Sequence, residues 1–523
     1  MTTKWIWRRR QVLRASAAAA LALGTGLVRA PAAIAANRPT TPFGVQTGDI
    51  AGDRAILWSK TDRPARMIVR WSTTEDMSDA NTAPFVNAVE DTDYAAKLDL
   101  SGLPAGQDIF YDVQFLDLED MTTTSEPVTG RFRTPPVARR DIRFVWSGDT
   151  AGQGWGINPD FGGMRIYAKM AERSPDFFIH SGDTIYADGP LEAEVTLDDG
   201  TVWKNIVTEE KSRVAESLRE FRGQYEYNLM DDNVRAFNAA VPMLAQWDDH
   251  EVSNNWFWEL QKTTDERYKE PSMAKLGARA MRAFHEYMPT RRHPLEPDRL
   301  YATFPYGPQL EVFRIDFRSY RGPNTANDQT ELGPESRIMG ADQIRWLKQS
   351  LLASDATWKV IASDMPIGLV VNDTGPNGEQ RFEAVAQGDG PARGRELEIA
   401  QLLTFIHQNN IKNVVWLTAD VHYTAAHRYD PANAQYSDFA PFWEFVSGPL
   451  HAGSFGPNAL DNTFGPEAVF VKAPPEGQAN LPPSAGLQFF GQVDIAGDSD
   501  VMTVSLIDIE GETVFSQEIT PEV

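Results

Sequence analysis

The stretch FFIHSGDTIYA, residues 177–187, is an apolar run that ends at Gly182-Asp183, with Tyr186 three residues beyond the aspartate. A strand that stops at Gly-Asp delivers one carboxylate to the crevice at the C-terminal edge of an open α/β sheet, where such sheets bind ligands. Asp183 can bridge two hard cations there, and a Tyr186 phenolate can join the shell of a trivalent one. Gly-Asp alone carries little, because turns use it constantly. Two further clusters follow similar apolar runs, WDDHE at 247–251 and TADVH at 418–422. Together the three predict a binuclear metal centre.

Working outward, the chain from Ile142 alternates apolar strands with helical segments. The strands are RFVWSGD (143–149), FFIHSGD (177–183), VPMLAQWDD (241–249), LEVFRIDFRS (310–319), WKVIASD (358–364) and NVVWLTADVH (413–422). Helical spacing covers 164–173, 211–228, 272–288, 341–353 and 394–409, so an α/β core is expected. The end of the chain, VMTVSLIDIEGETVFSQEI, reads as a hairpin turning at Glu510-Gly511. Residues 36–137 read differently, as short strands (55–59, 66–72, 109–116) bounded by Gly, Pro or Asp. They predict an N-terminal immunoglobulin- or fibronectin-like β-sandwich. Pro135-Pro136 forms a stiff linker to a catalytic domain over 138–523.

The bulk numbers narrow the partners. At 523 residues the chain exceeds one ordinary core. Its formal charge is −24, and residues 1–35 hold six bases and no acid, so the remainder carries −30. Such a body repels nucleic-acid backbones and anionic lipid surfaces. No nucleic-acid-binding surface is expected, and a small phosphorylated substrate needs local cationic help. Arg9-Arg10-Gln11-Val12-Leu13, a weakly apolar run over 15–28 and Ala33-Ile34-Ala35 fit a cleaved twin-arginine signal peptide over 1–35. The run is short and rich in Ala and Gly, which argues against a stable membrane anchor. Periplasmic or secreted localisation through the twin-arginine export machinery is expected. The chain has no cysteine, so any metal is held by oxygen and nitrogen.

Each strand-end group has a bland reading. An isolated aspartate there is more often a turn or helix cap, and Asp149 alone carries no weight. Asp248, Asp249, His250 and Glu251 in succession after a buried strand are costly without a cation, although a solvated acidic turn is the alternative. Asp420 and His422 are spaced to point to one side of an extended chain. His180 reads as a core residue and His285, His293 and His407 as surface residues. The Ser447-Gly448-Pro449 loop brings His451 into consideration near the site. Trp155, Trp256 and Trp258 read equally as pocket wall or core.

The motifs HSGDTIYADG (180–189), WDDHEVSNNW (247–256), RIDFRSYRGP (314–323), LTADVHYTA (417–425) and WEFVSGPL (443–450) carry a resemblance. The chain resembles the PhoD family of alkaline phosphatases and phosphodiesterases, within the calcineurin-like and purple-acid-phosphatase-like metallophosphoesterases. The resemblance spans nearly all of the chain beyond the signal peptide and implies an αββα sandwich core. It implies hydrolysis of phosphomonoesters, phosphodiesters or both by metal-activated water. Asp183 would bridge the metals, Tyr186 and His422 complete a first, ferric site, and Asp249 and Asp420 hold a second, calcium site. His250 would contact the phosphate or protonate the leaving group. Asn255 is a further calcium or phosphate candidate, and Arg318 and Arg321 either steady the phosphate or form salt bridges away from it.

One position departs from the family. The best-known members place a cysteine thiolate where this chain has Asp149, a harder ligand. Iron is favoured by Tyr186, while manganese, zinc or magnesium are open if Tyr186 stands outside the ligand set. Two other functions compete. A phospholipase-D-like diesterase would need an apolar entry surface, and no amphipathic basic helix is evident. A non-catalytic calcium-binding surface protein would be expected to have lost members of the ligand set.

Overall fold

The computed structural model describes residues 37–522. The twin-arginine segment lies outside the described residues. No helix among the described residues is long and apolar enough to cross a membrane.

Two mixed sheets face each other. The first runs Thr513–Ile519, Met502–Asp508, Phe489–Ile495, Ile142–Ser147, Phe177–His180, Met243–Ala245, Val45–Ala51, Arg54–Lys60, Ala95–Leu100. The second runs Ala302–Tyr306, Leu310–Arg314, Trp358–Ala362, Val414–Thr418, Phe442–Val446, Thr424–Tyr429, Pro466–Lys472. Four strands in each sheet pair in parallel, Ile142–Ser147, Phe177–His180, Met243–Ala245 and Val45–Ala51 in the first. Parallel strands covered on both faces are apolar on both. Phe144, Trp146 and Ile179 therefore meet Val312, Val360 and Leu417 between the sheets. Val145 and Phe178 turn outward onto Tyr167, Phe237 and Phe284 of the helices Arg165–Glu172, Asp232–Ala240 and Met273–Tyr287. On the far side, Phe313, Ile361 and Trp416 pack against Leu347 and Leu403 of the helices Gly340–Ala353 and Glu396–Gln408. The result is a four-layered αββα sandwich.

The helix expected over 211–228 begins only at Leu218. Ser217 caps it, with Glu220 reaching back to the cap, so a capping box sets the start. The helix Asp232–Ala240, capped by Asp231, was not anticipated from the sequence.

The N-terminal strands split into two sheets. Asn81–Thr82, Ala65–Ser72, Asp108–Asp117 and Val128–Arg133 form one, with Val86–Ala88 alongside. The others, Val45–Ala51, Arg54–Lys60 and Ala95–Leu100, extend the first catalytic sheet through a parallel bridge from Gly48 to Met243. A Cβ at Gly48 would come within 2.5 Å of the carbonyls of Met243 and Pro289, so only glycine permits that approach. The sandwich is thus hydrogen-bonded into the larger core, and Pro135 and Pro136 are buried in the join.

Candidate metal centre

Every chemically conspicuous group follows the C-terminal end of a central strand. Asp149 follows Ile142–Ser147, Asp183 follows Phe177–His180, Asp248 and Asp249 follow Met243–Ala245, and Asp420 and His422 follow Val414–Thr418. The chain must turn sharply there. Asp149, Asp183, Asp420, His422 and Asn255 all hold positive φ between 50 and 70°, a conformation that costs free energy and concentrates at functional sites. Gly182, at φ +100°, precedes Asp183 because a Cβ would sit 2.4 Å from the Asp248 Cβ.

The turns bring ligand-type atoms together in three overlapping groups, Asp149/Asp183/His422, Asp183/Asp249/His250 and Asp248/Asp249/Asp420. Within each group the atoms lie within 4.8 Å of one another. Asp183 and Asp249 are shared between neighbouring groups. Both carboxylate oxygens of Asp149 are buried without a hydrogen-bond donor, a cost that buried carboxylates normally avoid. Burial, reinforced by neighbouring carboxylates, pushes Asp149, Asp183 and Asp420 well above the ordinary carboxylate range. Asp248 rises to about 6, burial and Asp249 outweighing the Arg318 guanidinium. A basin of buried, donor-poor carboxylates fits hard cations.

His422 donates from Nδ1 to the Gly453 carbonyl, which leaves Nε2 as the lone-pair nitrogen. That nitrogen lies 2.9 Å from the Tyr186 hydroxyl and 3.6 Å from Asp149 Oδ1. The Tyr186 ring stacks on His250 with centroids 4.3 Å apart. His250 Nδ1 meets Asp188 Oδ1 at 2.6 Å, and its backbone N–H donates to Asp183 Oδ1. Burial opposes charging His250, but Asp188 and then Asp249 outweigh it and push the imidazole up to about 9. Asp188, despite burial, falls to about 2 through His250 and the Asn254 N–H. Glu251 accepts from the backbone N–H groups of Asp183, Thr184 and Asp248, tying two ligand loops together.

The basin opens into a cavity of about 370 Å³ lined by Asp183, Asp249, His250, Asn255, Asp420 and His422 among others. Gln153, Asn254, Asn372 and Asn458 add amide walls, and Val371, Val421, Phe455 and Pro457 add apolar ones. The segment 370–394 reaches this wall through Val371, Asn372 and Glu383.

Asp149, Asp183, Tyr186, Asp249, His250, Asn255, Asp420 and His422 thus converge. Arg318 and Arg321 do not line the cavity. Both are fully buried, and both pair with Glu383, while Arg318 also pairs with Asp248 and lies 3.7 Å from Asp420. Of the other histidines, His180 is in the core beside Thr150 as expected, but His285 is 1 % exposed and packs on Phe284, so its surface assignment was wrong. A helix-terminal position concealed that the neighbouring helix face is covered. His451 is buried against the Gly156 carbonyl, and Trp155 and Trp256 are core residues. Sequence reasoning missed Asp188, and it grouped Glu251 with the acidic cluster without foreseeing that it ties the ligand loops together, although both lie inside the quoted motifs.

A four-layered sandwich with a shared-carboxylate basin at its strand ends suits a metal-dependent phosphoesterase, the class that the comparisons with known proteins assign to this chain. The PhoD-like phosphatase model matches residues 144–506 and its N-terminal-domain model residues 28–136, so the chain belongs to the PhoD-like phosphatase family. It is 26 % identical over 441 residues to alkaline phosphatase D of Bacillus subtilis (strain 168), covering 79 % of this chain and 71 % of that protein. A solved structure of PhoD superposes with a TM-score of 0.68 at 20 % identity, over 92 % of this chain and 90 % of that one. A purple acid phosphatase from yellow lupin (Lupinus luteus) seeds shares the fold at a TM-score of 0.54 and 11 % identity, over 92 % and 74 % of the two chains.

The raised carboxylates have a measurable consequence. A folded-state pKa above the unfolded value near 4 gives stabilisation that is present at low pH and lost as pH rises through the folded value. For Asp248 that window runs from about 4 to about 6, and it extends higher for its neighbours. The melting temperature of the metal-stripped protein should therefore fall below that of the loaded protein by a margin that widens as pH rises from about 4 through about 6. Thermal melts of both forms across that range measure it; a margin independent of pH would contradict the assignment.

Proposed function

We propose that this chain hydrolyses phosphomonoesters, phosphodiesters or both, with Asp149, Asp183, Tyr186 and His422 holding one cation and Asp183, Asp249 and Asp420 a second. The observation that carries this reading is the sharing of Asp183 and Asp249 between adjacent ligand groups on one cavity floor. Iron for the first site is supported by Tyr186, whose hydroxyl meets the lone-pair nitrogen of His422; calcium suits the all-carboxylate second site. Manganese, zinc and magnesium are the alternatives that elemental analysis discriminates. Bound there, such cations supply Lewis acidity towards phosphoryl oxygens and bring a water's pKa towards neutrality.

The protein's own groups do the rest. Glu251 fixes the loops that carry Asp183 and Asp248, so the ligand atoms are preorganised. His250, held protonated by Asp188, donates its proton from Nε2 to the departing alkoxide oxygen. The Tyr186 ring fixes the plane of that imidazole. The amide walls offer hydrogen bonds to the organic part of the ester, with Phe455 as an apolar face.

Asp188→Asn tests the proton-donor role. Without the carboxylate the imidazolium is no longer favoured, so less donor is present at alkaline pH. Turnover of an alkyl ester, whose leaving group needs the proton, should fall about 10²-fold or more. Turnover of a nitrophenyl ester, whose leaving group does not, should change little. Equal losses on both esters would contradict the role.

In this reading residues 1–35 export the chain through the twin-arginine route to the periplasm or beyond. Residues 36–137 form the N-terminal sandwich and 138–523 the catalytic domain. The N-terminal-domain match ending at residue 136 and the phosphatase match starting at residue 144 support the boundary near 137.

A further inference from the structure

A chain of hydrogen bonds runs from two buried arginines to the cation basin, and donor–acceptor polarity is fixed at every link. The guanidinium groups of Arg321 and Arg395 only donate, and both donate to Asn324 Oδ1, at 2.9 and 2.8 Å. Asn324 Nδ2 therefore faces the other way. It donates to Asp373 Oδ2 at 2.9 Å and to the Asn255 carbonyl at 3.0 Å. The Asp373 carboxylate only accepts, so the Asn255 side chain must present its nitrogen to it, and Nδ2 lies 3.3 Å from Asp373 Oδ1. This orientation turns Asn255 Oδ1 away from Asp373, and among the described residues no protein donor meets that oxygen. Asn255 lines the cavity beside Asp183, Asp249 and Asp420, and its backbone N–H donates to Asp249 Oδ2 at 2.6 Å.

We propose that Asp373 is a positioning residue that locks the Asn255 carboxamide with its oxygen towards the basin, making Asn255 a neutral ligand for the divalent cation held by Asp249 and Asp420. The inference rests on the metal-dependent reading above. A hard divalent cation accepts an amide oxygen alongside carboxylates, and partners behind a ligand tune metal affinity as well as ligand direction. Asp373 stands in the short hairpin Asn372–Thr374/Gln380–Phe382, next to the wall residues Val371 and Asn372. The same hairpin therefore shapes the substrate wall and orients a ligand.

The test is calorimetric titration of calcium, and separately of manganese, into the metal-stripped full chain, with a thermal melt of each stripped variant. Asp373→Ala removes the acceptor. Asp373→Asn presents both a donor and an acceptor, so the polarity of Asn255 is no longer forced. Each should weaken one cation equivalent about 10–100-fold and leave the other equivalent and the stripped protein's melting temperature unchanged. The double variant Asn255→Asp/Asp373→Asn exchanges donor and acceptor across the same bond and should recover that equivalent. Unchanged affinity in the single variants overturns the proposal. Equal weakening of both equivalents with a lowered melting temperature also overturns it, because Asp373 would then only brace the fold. A wild-type chain that binds no cation removes the metal-dependent reading itself and the proposal with it.

Discussion

Asp183→Asn is expected to abolish turnover and most bound metal while leaving the fold intact. The substitution keeps the shape of the side chain and removes one charge. Asp183 belongs to two of the three ligand groups, so its loss weakens both cation positions at once. Cation stabilisation of the transition state is worth several kcal/mol, and at about 1.4 kcal/mol per decade its loss costs on the order of 10³-fold or more in turnover. The fold should survive because Asp183 is buried among carboxylates that disfavour its charge. In the metal-stripped protein the neutral amide relieves that repulsion, so the stripped variant should melt no lower than the stripped wild type at pH 8. Elemental analysis, turnover and thermal melts on one preparation measure all three quantities. A variant that keeps its metal and its activity would sink the bridging assignment.

Arg318→Met should be the most destabilising single change in the catalytic core. Arg318 has no exposed surface and pairs with Asp248 and Glu383, with Asp364 at 3.6 Å and Asp420 at 3.7 Å. Burial opposes ionising Glu383, yet Arg318 and Arg321 together hold it at about 2. Without Arg318, Asp248 and Glu383 lose a buried counterion, and breaking a buried pair from one side typically costs about 3–5 kcal/mol. Methionine fills much of the volume, so the loss is electrostatic more than steric. Denaturant unfolding of the loaded protein should register it. A change below about 1 kcal/mol, the worth of an exposed pair, would mean that the network carries little of the core's stability.

What the sequence disclosed and what it concealed divide along physical lines. Strands buried on both faces are written as unbroken apolar runs, so Phe177–His180 and Val414–Thr418, and the ligands that follow them, were legible locally. Asp149, Asp183, Asp249, Asp420 and His422 could be named because each sits immediately past such a run. The partners that orient them were not legible in the same way. The Asp188–His250 contact spans 62 positions and the Asn255–Asp373 contact 118, and no spacing rule reaches that far. Arg318 and Arg321 looked equally suited to phosphate and to salt bridges. Only Glu383, contributed by a separate hairpin segment, shows which contacts they make. The helix Asp232–Ala240 is too short for a persistent apolar period, and its cap Asp231 is indistinguishable from a turn residue. The continuity of the sandwich with the catalytic sheet hangs on Gly48, whose missing side chain leaves no pattern to read.

The most direct test of the account is to measure metal content and turnover on one preparation. An aryl phosphomonoester and the matching diester would be assayed at alkaline pH before chelation, after it and after metal is restored. Two or more equivalents of metal are predicted, with turnover of at least one ester lost on chelation and recovered on restoration. Turnover that persists undiminished in the fully stripped protein would contradict the assignment of the carboxylate–histidine basin as a metal centre.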